Sequence, residues 1–277
     1  MSERSGYKPG VPCWVDIAHP DPDAAARFYG GVFGWDFTDP GEMPGDPPGR
    51  YFVARLRGRD VAGISSQPSE GAPPTPAWST YICVDSAEEA ATGATGAGGS
   101  VLVEPFDADP AGRMAVLTDR SGAAFCAWEP RERKGAELVN EPGAWSMSAL
   151  NTRDPDAAKA FYGAVFGWTT DAFELGEMAI PLFRLPGFEG GEPEQPVPRD
   201  VVATMAPLPD GTPDDAPSHW SVDFWVDDVD ATAERVTGLG GDVVAPPYDL
   251  PVGEFRQAVL ADPLGATFSV SKVGPPA

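Results

Sequence analysis

The chain has 277 residues and a formal net charge of −23. That length allows two domains of ordinary size, each with its own core. The charge excludes nucleic acid and anionic membrane as partners, because both require a basic face. No apolar run approaches the ~18 residues that span a bilayer, and the opening MSERSGYKPG has no secretory character. Three cysteines (Cys13, Cys83, Cys126) sit in strand-like runs and fit small core hydrophobes of a reducing cytoplasm, the expected location.

Pro12 to Ala18 reads as a strand. Asp21 is placed to cap a helix and Pro22 suits its first turn. Ala25, Phe28, Tyr29 and Val32 then recur at helical spacing, and Gly30, Gly31 and Gly34 are read as ending the helix. Segments 51–57 and 60–66 alternate around Gly58 as a hairpin. A second unit opens at Trp78, with a strand over 79–84 and an Ala-rich helix capped at Asp85-Ser86 and ending near Gly98-Gly99. Strands are expected at 101–104, 114–118 and 123–129, with a turn over 119–122. Residues 131–143 are polar, bounded by Pro and Gly, and without periodicity, so they read as a linker.

The program then repeats. DPDAAARFYGGVFGW at 21–35 returns as DPDAAKAFYGAVFGW at 154–168, and Asp119-Arg-Ser-Gly-Ala returns as Asp262-Pro-Leu-Gly-Ala. Strands are expected at 144–151, 178–185, 199–206, 219–226, 242–245, 255–261 and 266–272, with helices at 154–165 and 228–238. The second copy is longer by an exposed, mobile loop at 186–198. A repeat of this length means two copies of a whole domain rather than a stacked array. The domains are 8–130 and 144–273.

Four βαβββ units paired into two modules make an α+β chain that resembles the vicinal-oxygen-chelate superfamily, which includes glyoxalases, extradiol dioxygenases and bleomycin-resistance proteins. The FYG–VFGW run and the Asp-x-x-Gly-Ala hairpin, both present twice, carry the resemblance, and it is strongest to tandem glyoxalase-like proteins of actinobacteria. It implies sheets that curl around cavities, with helices on their outer faces. It also implies metal ligands at three strand positions, which here hold Trp14, Ser79 and Cys126 in module one and Met147, Ser221 and Ser269 in module two. None is a family ligand, and this set suits no hard or borderline divalent ion. His19 is expected exposed at a strand end. His219 lies on the same strand face as Ser221. The expectation is therefore no metal and no cofactor.

Strand alternation supports two-sided sheets. Val15, Ile17, Ile82, Val84, Phe125 and Ala127 form an apolar face. Trp14, Asp16, Tyr81, Cys83, Cys126 and Trp128 form a mixed face suited to a cavity wall, and Asp223 and Trp225 extend that pattern into module two. Asp16 and Asp223 are the catalytic candidates: a carboxylate in an apolar cavity is a potential base. Their alternative role is purely structural, hydrogen-bonded to backbone or to Ser and Tyr neighbours. Trp35 and Trp168 are assigned to core packing. Trp14, Tyr81, Trp128 and Trp225 offer faces for stacking on a planar ligand.

The expected function is metal-free binding of an aromatic and cationic small molecule, such as an antibiotic or a polyketide-pathway intermediate. The ligand-contacting residues would be Trp14, Asp16, Ser79, Tyr81, Cys126, Trp128, Met147, Ser221, Asp223, Trp225 and Ser269. The alternative is a glyoxalase-like lyase, isomerase or oxygenase with atypical site residues. A third reading is an interaction protein acting through its surface. A monomer or a homodimer is expected.

Overall fold

A computed structural model of the chain describes residues 3–38, 42–43, 48–67, 75–175, 178–190, 199–208, 211–213, 216–250 and 255–273. Residues 191–198 of the loop expected to be mobile and exposed lie outside that set.

Module one runs β1 (Pro12–His19), α1 (Pro22–Phe33), β2 (Asp36–Thr38), β3 (Glu42–Met43), β4 (Gly49–Leu56) and β5 (Arg59–Ser66) as its first unit. The second unit is β6 (Ala77–Cys83), α2 (Ala87–Gly96), β7 (Ser100–Ala108), β8 (Gly112–Thr118) and β9 (Ala124–Pro130). Module two repeats this with β10 (Trp145–Asn151), α3 (Pro155–Phe166), β11 (Thr169–Leu175), β12 (Met178–Arg184) and β13 (Val201–Ala206). Its last unit is β14 (His219–Trp225), α4 (Val229–Gly238), β15 (Asp242–Asp249), β16 (Phe255–Ala261) and β17 (Thr267–Val273).

Each module is one open mixed sheet, ordered β2-β4-β5-β1-β6-β9-β8-β7 and β11-β12-β13-β10-β14-β17-β16-β15, with β3 on β4. The central pairs β1·β6 and β10·β14 are antiparallel. The flanking pairs β1·β5, β6·β9, β10·β13 and β14·β17 are parallel. Two βαβββ units thus join through their first strands.

β2, β3 and β11 were not expected. Asp36–Thr38 and the start of β11 lack a clean alternation, and pairing with β4 and β12 supplies their order. β7 and β15 run past the expected ends at Glu104 and Ala245 because hairpin pairing with β8 and β16 continues across bulges.

The repeated helices start as the sequence indicates. Asp21 and Asp154 each accept the backbone N–H three residues on, at 2.9 Å, and Gly34 and Gly167 close the helices with φ near +70°. Gly30 and Gly31 do not end α1. Val32 and Phe33 are buried beyond them, and that burial outweighs the ~1 kcal/mol propensity penalty of a helical glycine.

The modules interlock through their helical faces. Phe33 of α1 and Trp78 of β6 meet Phe224 of β14 at ring-centroid distances of 4.8 and 5.1 Å, and Tyr29 lies 5.6 Å from Phe268. The related contact of α3 places Tyr162 5.8 Å from Phe125. Trp35 and Trp168 are core residues as assigned, and their indoles donate to the carbonyls of Gly143 and Gly10 in the other half of the chain. His19 is not exposed. It is buried, its Nδ1 accepts the Asp21 amide, and its Nε2 lies 3.5 Å from Asp262 Oδ2. The expected exposure fails because the helical face of module two covers the end of β1. The three cysteines are buried and form no disulfide.

Candidate functional site

The mixed faces of β1, β6 and β9 lie opposite the helices. In module one Trp14, Tyr81 and Cys126 share a row across the three strands, with Asp16 opposite Ser79 in the next. The Asp16 carboxylate accepts Tyr81 Oη at 2.7 Å and Tyr51 Oη at 3.2 Å, and Tyr51 Oη in turn accepts Trp14 Nε1 at 2.8 Å. Tyr51 reaches this position because Gly63 faces Asp16: a Cβ there would lie 2.2 Å from the tyrosine oxygen. Burial lifts the Asp16 carboxyl to about 6, although the two tyrosine hydroxyls and the Arg133 charge oppose it. Burial, with the Asp16 charge, also pushes the Cys126 thiol up, so it stays protonated and unreactive.

This face is not an open cavity. Trp14, Asp16, Tyr81, Cys126 and Trp128 are between 3% and 7% exposed, whereas Ser79 is half-buried. After β9 the chain folds back over them. The amides of Arg131 and Arg133 bond the Ala111 carbonyl, Trp128 Nε1 donates to the Arg133 carbonyl, and the Ala136 amide bonds Cys13. Gly135, at φ +118°, lets this strap descend: a Cβ would lie 2.5 Å from the Cys13 carbonyl oxygen. Ala136, Leu138 and Val139 join the core. The Arg133 guanidinium ends 5.4 Å from the Trp14 ring and 5.7 Å from the Tyr51 ring.

Module two keeps its face open. Met147, Asp223 and Ser269 share the equivalent row, with Ser221 and Trp225 along β14, and all five are half-buried. Asp223 occupies the place of Tyr81, while the place of Asp16 is taken by Ala149, so the two carboxylates are not copies of one another. Asp223 accepts Ser146 Oγ at 2.7 Å, Ser271 Oγ, and Gln257 Nε2 at 3.1 Å. Gln257 Oε1 accepts the exposed Tyr248 hydroxyl at 2.7 Å. Burial raises the Asp223 carboxyl above the usual range despite these donors. A cavity of about 60 Å³, lined partly by Trp145, Ser146 and Met147, opens at the start of β10. It has room for a couple of waters but not for a drug-sized ligand.

Sequence reading missed Tyr51, Arg133, Ser146, Gln257 and Tyr248. Ser146 was hidden because a bulge between Trp145 and Met147 breaks the alternation. Arg133 lies in a segment with no period. Tyr248 lies on β15 past its expected end, beyond the bulges, and Gln257 lies on β16, whose FRQAVLA sequence has no clean alternation to mark it. His219 is exposed, as a strand-end residue can be, and its carbonyl accepts Asn151 Nδ2.

The metal positions of the resembled family do not fit a metal here. Trp, Ser and Cys in one module and Met, Ser and Ser in the other supply no imidazole or carboxylate. No group of three His, Cys, Asp or Glu side chains that could hold a metal occurs among the described residues. Nor is any helix among them long and apolar enough to cross a membrane.

Residues 13–127 match the family model of the glyoxalase/bleomycin resistance protein/dioxygenase superfamily, and residues 147–271 match that of the glyoxalase-like domain. The chain belongs to this superfamily, with two tandem modules.

Among individual proteins, it is 42% identical over 99% of both chains to CFP32 of Mycobacterium tuberculosis, a provisionally named glyoxylase. It is 34% identical to the anthracycline biosynthesis protein DnrV of Streptomyces peucetius, over 95% of this chain and 94% of that one. The Mn(II)-bound glyoxalase of Novosphingobium aromaticivorans shares the fold at a TM-score of 0.61 and 19% identity, over 95% of this chain and 82% of the other. So does 2,2',3-trihydroxybiphenyl 1,2-dioxygenase of Sphingomonas wittichii, at 0.60 and 13%, over 97% and 92%.

Proposed function

We propose that the chain binds a planar aromatic small molecule on the inner face of module two, without a metal, and that it serves a polyketide-type pathway. The observation that carries this reading is the contrast between the two faces. Trp225 and Met147 are half-buried around a polar centre at Asp223, whereas their module-one counterparts, Cys83 and Trp14, are buried. An indole and a thioether on the same sheet face each offer a surface for stacking on a planar ligand. Asp223, with Ser146 and Gln257, offers hydrogen-bonding groups and a charge for an amine, and the −23 net charge raises the local concentration of a cation. The 34% identity to proteins named for anthracycline biosynthesis supports the ligand class. The protein acts in the cytoplasm as a monomer or homodimer, since each sheet already contains its paired units.

The test is a tryptophan-fluorescence titration with cationic and neutral aromatic natural products at low and high salt. Saturable, salt-sensitive quenching that is lost in Trp225→Ala and weakened in Asp223→Asn is expected. Quenching lost instead in Trp14→Ala would move the site to module one, and no response across the panel would overturn the reading.

A second reading, an enzyme of this superfamily using Asp223 as acid or base, draws on the raised carboxyl of Asp223 beside an open face. Turnover of a carbonyl substrate that disappears in Asp223→Asn supports it; turnover unchanged in that variant removes the role.

A further inference from the structure

We infer that the inner face of module one is a binding site for a small organic cation, a guanidinium or alkylammonium, and that Arg133 of the chain itself occupies it. The Arg133 guanidinium lies within cation–π range of both Trp14 and Tyr51. Its wall is built without it. Trp14 Nε1 donates to Tyr51 Oη, which fixes the two rings relative to each other, and the Asp16 carboxylate behind them is aimed by Tyr51 and Tyr81. All four residues stand on β1, β4 and β6 of one sheet.

Arg133 arrives from outside that sheet, and its backbone is held separately, by the Ala111 carbonyl and by Trp128. The side chain can therefore leave without unravelling the strap, and the neighbouring Arg131, Glu132 and Lys134 are exposed. Among the described residues, module two has no copy of this arrangement. Ala149 stands for Asp16, Met147 for Trp14, and Thr204 for the Gly63 that makes room for Tyr51. An aromatic and carboxylate cage confined to one module is thus not a requirement of the fold.

A tethered side chain acts at millimolar or higher effective concentration. A free cation of modest affinity therefore competes poorly while Arg133 is present, and the site is self-occupied in the native chain.

The experiment follows the indole N–H resonance of Trp14, assigned through Trp14→Phe, while methylguanidinium is added to the full chain. Urea serves as the uncharged control. In Arg133→Ala a saturable shift is expected, with a dissociation constant at least tenfold tighter than in the unmodified chain, no response to urea, and loss on adding Asp16→Asn. No saturation in Arg133→Ala, or equal affinity in both chains, overturns the inference. Should Arg133→Ala not fold, the unmodified protein still decides. The Arg133 δ-methylene protons must be shifted upfield by the Trp14 and Tyr51 ring currents, and unshifted protons overturn it. Because every readout lies in module one, its failure is separate from failure of binding in module two.

Discussion

The Tyr29 hydroxyl donates to Asp262 Oδ2 at 3.2 Å across 233 residues of chain, and accepts Trp78 Nε1 at the same distance. Tyr162 repeats the arrangement, donating to Asp119 Oδ2 at 3.3 Å and accepting Trp220 Nε1 at 2.9 Å. Each tyrosine belongs to the duplicated FYG motif, and each aspartate belongs to the duplicated final hairpin of the opposite module. The two motifs that reveal the repeat are therefore the ones that lock its copies together.

Both core clusters contain residues of both modules, so the chain is expected to unfold in one cooperative transition. Tyr29→Phe and Tyr162→Phe each strand a buried indole N–H and remove a donor to a buried carboxylate. Each should lower stability by about 1–3 kcal/mol. Calorimetry checks both: two resolved peaks in the unmodified protein would contradict the interlock.

Thr80 Oγ1 and Ser148 Oγ are hydrogen-bonded at 2.7 Å, buried between the modules. Thr80 pairs with Val15, and Ser148 with Val222, so the pseudo-symmetric positions are apolar. Either Thr80→Val or Ser148→Val alone leaves a hydroxyl unsatisfied and should cost about 1–3 kcal/mol. The double replacement should recover most of that loss. Additive losses in a double-mutant cycle would show that the bond contributes nothing.

The raised carboxyl of Asp16 gives an uncommon pH dependence. Native protein holds this proton more tightly than the unfolded chain, whose Asp titrates near 3.9. The stabilising contribution is therefore complete below about pH 4 and is lost as the pH rises through about 6. Asp16→Asn should gain on the unmodified protein across that window, by up to about 3 kcal/mol above pH 7. Denaturant midpoints at pH 4, 5, 6 and 7 measure the difference, and a constant difference would mean that Asp16 ionises normally.

Gly135→Ala places a methyl group against the Cys13 carbonyl and the Tyr7 ring at a positive φ. It should lower stability by more than about 1 kcal/mol and raise hydrogen exchange over residues 131–139. Exchange unchanged there would show that the strap does not depend on this contact.

Much of the architecture could be read from the chain. Duplicated DPDAA and FYG–VFGW segments named the modules, Asp21 and Asp154 set the helix starts, and period-two alternation in β1, β6, β9, β14 and β17 assigned the two faces of each sheet. These are local signals: a cap reaches three residues and a strand alternates every second residue whatever it packs against. Tertiary structure alone decided which face is open. His19 was drawn into the core by a hairpin 243 residues away (262 − 19). Ser146 was turned toward Asp223 by a bulge. Trp14 and Asp16, read as cavity wall, were sealed by an aperiodic segment whose arginine found two aromatic rings. Such contacts join residues that share no period and no neighbourhood in the chain. Their energies arise from burial and charge in three dimensions, which no local pattern encodes.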